Sequence, residues 1–182
     1  MLLNALDSLA AREANIEAQV LSIPGGREIV ERKSGELGIY TEYSEIHQEY
    51  ARLAQVGESE ALKRALFLQW FEYAEPRFLT GIYQLDEKAR DDVFQIIEQK
   101  CKSADLDTEM KWMIPYYYHI GPYFDEKKYP KLTLFSKANP PSKETPAPPK
   151  DAHLSNRGLM GRYWQSIKET LIRHKDKWEI DY

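Results

Sequence analysis

Two polar residues stand three positions apart in the most apolar stretch of the chain. Gln69 and Glu72 share one face of a helix predicted over about 59–75, because residues three apart are neighbours on a helix surface. A carboxylate on such a helix must be paired, hydrogen-bonded or placed at a cleft, since burying it alone is costly. In a cleft, Glu72 could act as a general acid or base or hold a ligand amine. The alternative is a structural ion pair with an arginine or lysine.

A second candidate site is the aromatic segment 112–135, which holds eight of the 22 aromatic side chains. Within it, Tyr117, Tyr118 and His119 bring phenol and imidazole groups close to Pro115, where a proline inside a helix predicts a kink. Rings around a kink can line a ligand pocket or enrich an interaction surface, and they can equally belong to the core. Three consecutive tyrosines cover about 200° of a helix, so they cannot all face one pocket.

Several catalytic and cofactor motifs are absent from the sequence. It contains no phosphate-binding G-x-x-x-x-G-K-[ST] or G-x-G-x-x-G loop, no G-x-S-x-G turn and no H-E-x-x-H zinc motif. It also lacks the Glu-x-x-His pairs of a di-iron bundle. The nearest pattern, Glu42, Glu45 and Glu49 around His47, predicts a solvated polar face. We therefore predict no metal site and no cofactor.

Cys101 is the single cysteine, which excludes an intrachain disulfide and a zinc site that needs two or more cysteines. It lies at the predicted C-terminus of a helix, where the helix dipole raises the thiol pKa. We therefore interpret it as a small core residue and not as a nucleophile. One free thiol fits a reducing compartment, and no signal peptide or membrane-spanning apolar run is recognisable. We expect a cytoplasmic location and no membrane partner.

Charge is unevenly spread along the chain, whose net charge is −4. Residues 1–100 carry 18 acidic and 11 basic side chains, whereas residues 127–177 carry 12 basic and 4 acidic ones. We expect the basic part to pair with the acidic part, either within one chain or between two copies. The net acidity argues against nucleic acid as a partner.

Regular apolar spacing predicts an all-α protein with five to six helices in antiparallel hairpins. The first helix has an apolar stripe that only Glu13 interrupts; its members are Leu2, Leu6, Leu9, Ile16 and Val20. The helix over about 59–75 is apolar nearly all round, which is typical of a helix at the centre of its domain. Asp86, and either Asp105 or Asp107, are expected to cap later helices.

The chain is predicted to be a single helical domain over 1–182. We expect a main helical body at 1–129, a Pro-rich crossing segment at 130–152 and a C-terminal helix at 153–182 that packs back on the body. Residues 27–40 are ambiguous: apolar pairs on either side of a turn signal leave a short β-hairpin as a minor alternative to an irregular connector.

Two functional hypotheses follow. The first is a non-enzymatic intracellular protein-interaction module of adaptor or inhibitor type, which presents its aromatic-rich surface at 112–135 to a protein partner or to a second copy. It is favoured because no catalytic or cofactor motif is found, although enzymes without short motifs exist. The alternative is a small-molecule-binding protein or enzyme, with a pocket between the third and fifth helices lined by Glu72, Tyr117, Tyr118 and His119. A deep cavity at Glu72 would favour the pocket, and a closed ion pair there would favour the module.

Overall fold

A computed structural model of the chain describes residues 2–121, 123–140 and 154–178, and side chains within 5–170 of these ranges. The described part is all-α, as predicted, with helix packed on helix and without strands. Its nine helices are α1 (Leu2–Ser22), α2 (Arg27–Glu36), α3 (Ile39–Gln55), α4 (Ser59–Ala74), α5 (Arg77–Thr80), α6 (Glu87–Ser103), α7 (Thr108–Ile120), α8 (Pro130–Ala138) and α9 (Gly158–Trp178). The number exceeds the expected five to six because α2, α5 and α8 were not foreseen.

The β-hairpin alternative for residues 27–40 is wrong, because α2 occupies most of that segment. Val30 and Ser34, four residues apart, are both buried on one side of α2, which is helical spacing. The chain turns at Gly38, where φ is +73°, whereas Gly35, part of the turn signal of the hairpin alternative, lies inside the helix. Glycine adopts that left-handed conformation without strain, so α3 can start directly after it.

The central position predicted for the helix near 59–75 is confirmed in α4. Ten of its 16 residues are buried, Leu66 and Trp70 among them. The helix packs against α3, α6, α7 and α9. A helix that is apolar nearly all round needs neighbours on every side, and α4 has them.

Helices α4 and α7 run side by side in the same direction. Lys63 near the start of α4 pairs with Glu109 near the start of α7 at 2.8 Å. Trp70 further along α4 stacks on Tyr117 of α7, with ring centroids 4.4 Å apart. This register brings the aromatic end of α7 against the most buried part of α4.

The C-terminal helix packs back on the body formed by α1 to α8. Arg157, just before α9, bonds Glu60 at the start of α4 at 2.6 Å. Further along α9, the ring of Tyr163 lies 5.3 Å from that of Phe71 near the end of α4. Helix α9 therefore runs parallel to α4, and it also packs on α1.

The segment 130–152, predicted as a Pro-rich crossing, begins with a helix. Pro130 is the first residue of α8, a position at which proline fits because its missing N–H is not needed there. Leu132 and Ser136 of α8 are buried. Residues 141–153, where the rest of the crossing was expected, lie outside the described residues.

The predicted helix caps at Asp86 and Asp107 are present. Asp86 accepts a hydrogen bond from the backbone N of Ala89 at 2.8 Å, and Asp107 accepts one from the backbone N of Met110 at 2.8 Å. Of the two aspartates considered for α7, the cap is therefore Asp107 and not Asp105. In the part of the chain that the structure describes, none of the helices combines the length and the apolar character required to traverse a lipid bilayer.

Candidate functional site

Glu72 forms a closed ion pair with Arg90 of α6. Its other oxygen, Oε1, accepts a hydrogen bond from the backbone N of Leu85 at 3.3 Å. The side chain of Glu72 is only 12% exposed, so both carboxylate oxygens are compensated within the protein, as burial demands. These contacts hold the segment before α6 against α4.

Gln69 pairs with a histidine of α3 instead of with Glu72. Both side chains are buried, and Nε2 of Gln69 lies 2.9 Å from Nε2 of His47. Burial, helped by the charge of Arg90, lowers the pKa of His47 to about 3, so the imidazole is neutral near pH 7. The neutral ring and the side-chain amide of Gln69 share one hydrogen bond, whose direction depends on the tautomer of His47. Gln69 therefore links α4 to α3, whereas Glu72 links α4 to α6.

The three candidate residues of α7 lie in three different environments. Tyr117 is fully buried, and its hydroxyl accepts a hydrogen bond from Nε1 of Trp164 at 3.3 Å. Tyr118 is half-buried and donates to Glu126. His119 is exposed. The three side chains therefore do not share one environment, and the carboxylate of Glu72 bonds other groups.

A continuous cluster of aromatic rings joins α4, α7 and α9. Neighbouring centroids lie 4.4 to 6.5 Å apart, the range in which aromatic pairs attract. This ring cluster consists of Phe67, Trp70, Phe71, Trp112, Tyr116, Tyr117, Tyr163 and Trp164. It fills the space between the third and fifth predicted helices, where the pocket hypothesis located a ligand.

The aromatic side chains of 112–135 belong mostly to the interior. Of the eight, three are buried and five are half-buried, and none is fully exposed. The segment is therefore not a broad aromatic surface. Each of the five half-buried rings reaches the solvent in part, and those of Trp112 and Tyr116 do so along one edge.

That edge runs along α7. Trp112, Tyr116 and Ile120 are spaced by four residues and share one face of the helix. The two rings are half-buried, with centroids 5.2 Å apart, and Ile120 is 50% exposed. Tyr73 of α4 is 57% exposed, and its ring lies over Gly121, the residue after Ile120. A β-carbon on Gly121 would lie 2.9 Å from that ring. Trp112, Tyr116, Ile120 and Tyr73 are named the α7 strip.

Arg157 fixes α9 to two other helices, and its role was not predicted. Its side chain is 8% exposed and bonds Glu60 of α4 at 2.6 Å and Glu109 of α7 at 2.5 Å. Glu109 also pairs with Lys63 at 2.8 Å. Glu60 and Glu109 are 97 and 48 residues from Arg157 in the sequence, so the spacing of neighbouring residues does not predict these ion pairs.

Glu13 was noticed in the sequence only as an interruption of the α1 stripe, and it is one of the most buried charged residues described, at 2% exposure. Its Oε2 accepts a hydrogen bond from the backbone N of Leu159, in the first turn of α9, at 2.5 Å. Burial raises its pKa to about 7, against the opposing effects of that hydrogen bond and of Arg64 and Arg162. The residue that interrupts the apolar stripe of α1 therefore marks a contact between α1 and α9.

Basic residues of the second half of the chain pair with acidic residues of the first half within one molecule. Arg162 bonds Glu17 at 2.6 Å, and Lys128 pairs with Asp91. For these residues, the acidic and basic parts therefore pair within one chain, which is one of the two predicted alternatives.

Cys101 and the acidic side chains are the other groups that could carry chemistry. Burial, reinforced by the charge of Glu98, raises the pKa of the half-buried Cys101 thiol to about 11, so the thiol is protonated near neutral pH. Among the described residues, no three His, Cys, Asp or Glu side chains converge in an arrangement that could hold a metal ion.

A groove of about 520 Å³ lies between α3 and α6. It is open and lined mainly by charged side chains, such as Glu49, Arg52 and Asp92. None of the five predicted site residues lines it. No family model, curated protein or solved structure matches this chain.

Proposed function

We propose that the protein is a non-enzymatic helical protein-interaction module, of adaptor or inhibitor type, that binds an apolar surface of its partner through the α7 strip. The supporting observation is that Tyr73 and Ile120 leave half of their surface in water beside the half-buried rings of Trp112 and Tyr116. Covering a large apolar side chain completely contributes about 1.5–3 kcal/mol, and aromatic residues are enriched in interface cores. The proposed location is the cytoplasm, on the basis of the single cysteine.

Two contacts favour this proposal over the small-molecule pocket. The carboxylate of Glu72 is already occupied by Arg90 and by the backbone of Leu85. The rings of Trp70 and Tyr117 stack at 4.4 Å in the space that a ligand would need. The partner is then either another protein or a second copy of the chain.

The test is a double variant, Tyr73→Glu with Ile120→Glu, which puts charge on the most exposed part of the strip. The matched control is Val56→Glu with Leu134→Glu, two apolar residues that are 68% and 62% exposed elsewhere on the molecule. Both double variants are expected to unfold in urea within about 1 kcal/mol of the parent, because exposed side chains contribute little to stability. Light scattering measures self-association, and photo-crosslinking in the native host followed by mass spectrometry identifies a protein partner.

We expect the strip variant to lose the partner, or the self-association, by about tenfold or more, as substitutions at the centre of an interface do. The control variant should behave as the parent does. If strip and control variants keep the same partners and the same solution mass as the parent, the proposal is wrong.

A further inference from the structure

The first turn of α9 rests directly on the carboxylate of Glu13. The backbone N of Leu159 donates to Oε2 at 2.5 Å, and a β-carbon on Gly158 would overlap with the same oxygen. The main chain of α9 therefore covers the carboxylate and keeps it at 2% exposure. If α9 lifted away, Glu13 would meet water.

Helices α3, α4 and α9 each bring a titratable or charged group to Glu13. These groups are Tyr43 and Tyr50 of α3, Arg64 of α4, Arg162 of α9 and, one turn along α1, Glu17, which is paired with Arg162. The hydrogen bonds from Tyr50 and Leu159 and the two arginines favour the ionised carboxylate. Its removal from water favours the neutral acid.

Burial is the larger effect, because it raises the pKa of Glu13 from 4.5 to about 7 despite those partners. In water the same carboxyl would return to its ordinary value. Between these two pH values the covered carboxyl holds a proton that the uncovered one has released.

We propose that the protonation state of Glu13 controls the docking of α9, which is tightest when the carboxyl is neutral and loosens when it ionises. Docking takes up a proton in this range, so it weakens as the pH rises from about 4.5, and the weakening is complete above about 7. Because α9 carries Tyr163 and Trp164, loosening it uncovers the ring cluster. The inference concerns the docking of α9 alone and does not depend on the proposed function.

Hydrogen–deuterium exchange of the full chain between pH 5 and pH 8 tests this inference. The readout is the protection factor of the amides in 159–167, with intrinsic exchange rates corrected at each pH. A carboxyl that shifts from 4.5 to about 7 predicts that this protection falls by roughly 100-fold over the series. Amides in the middle of α3 should change much less, since α3 does not undock.

Two variants make the test specific. Glu13→Gln keeps the size of the side chain and an oxygen that accepts from Leu159, so its protection in 159–167 should be independent of pH. Glu17→Gln removes a partly exposed carboxylate one turn away and should keep the pH dependence of the parent. The inference is overturned if protection in the parent does not fall with pH, if Glu13→Gln shows the same fall, or if all helices lose protection together.

Discussion

The docking of α9 on α1 depends on the small size of Gly158, which lies against Glu13. The φ of Gly158 is +60°, in the left-handed region that strains residues with a side chain. A β-carbon on Gly158 would also lie 2.0 Å from Oε2 of Glu13, so that carboxylate would have to move. The position therefore requires glycine for two separate reasons, one in its own backbone and one in its neighbour.

The two reasons can be separated by comparison with Gly38, which has φ +73° and open space around its α-carbon. We expect Gly38→Ala to lower the free energy of unfolding by about 1 kcal/mol, the cost of the left-handed backbone alone. Gly158→Ala should lose about 3 kcal/mol, because the methyl group must also displace the Glu13 carboxylate. Urea unfolding of both variants measures the difference, and equal losses would contradict the close approach.

Individual side chains show where inference from sequence reaches its limit. Spacing correctly indicated that Glu72 needs compensation and that Glu13 breaks an apolar face. It did not indicate that the partner of Glu13 is 146 residues away or that the partner of Glu72 is Arg90. The face on which a residue lies follows from helical periodicity, whereas the group opposite depends on how the helices pack.

The N-terminal caps of α6 and α7 differ in what they do besides capping. Asp86 caps α6 by a hydrogen bond to Ala89, whereas Asp107 caps α7 and also lies 2.9 Å from Nζ of Lys63, whose side chain is 12% exposed. Asp107 therefore joins α7 to α4 as well as starting α7.

This difference predicts unequal losses on substitution. Asp86→Ala should lower the free energy of unfolding by about 1 kcal/mol, the usual value of a cap. Asp107→Ala should cost about 2 kcal/mol, because a largely buried ammonium loses one of its two carboxylates. Thermal or urea unfolding checks both, and a loss for Asp107→Ala no larger than for Asp86→Ala would argue against the second role.

The helices that were predicted have long apolar stripes. Those that were not predicted, α2, α5 and α8, are short and depend on contacts with residues distant in the sequence. Helix α8 has only nine residues, and its start is closed by Glu98 of α6, which accepts from the backbone N of Leu132 at 2.7 Å and of Lys131 at 3.2 Å. Glu98 and Glu13 thus play the same part for α8 and α9. A short helix whose cap lies more than thirty residues away leaves only a weak local pattern in the sequence.

The ring cluster makes α9 part of the core and not an appendage. Trp164 is 1% exposed, and its ring lies 4.6 Å from that of Trp112 and 6.4 Å from that of Trp70. The predicted aromatic face of the last helix correctly indicated that it needs a partner surface. Which rings meet there depends on the parallel register of α4, α7 and α9, which no local pattern specifies.

Truncating Trp164, a large and fully buried side chain of α9, should therefore lower the stability of the whole molecule. We expect Trp164→Ala to lower the free energy of unfolding by about 4 kcal/mol, as for other fully buried tryptophans. Leu134→Ala, at a residue that is 62% exposed, should stay within about 0.5 kcal/mol of the parent. Chemical unfolding followed by circular dichroism compares them, and a loss below about 1 kcal/mol for Trp164→Ala would mean that the packing of α9 contributes little to the stability of the folded protein.

The order of the helices along the chain also has a consequence for biosynthesis. Trp164 follows Tyr117 by 47 residues, so the ribosome releases α4 and α7 well before the helix that covers them. A nascent chain at that stage displays the uncovered rings of Trp70 and Tyr117, the kind of surface that chaperones hold and that aggregates form from. Slow translation between these two points would lengthen the time for which these rings are uncovered.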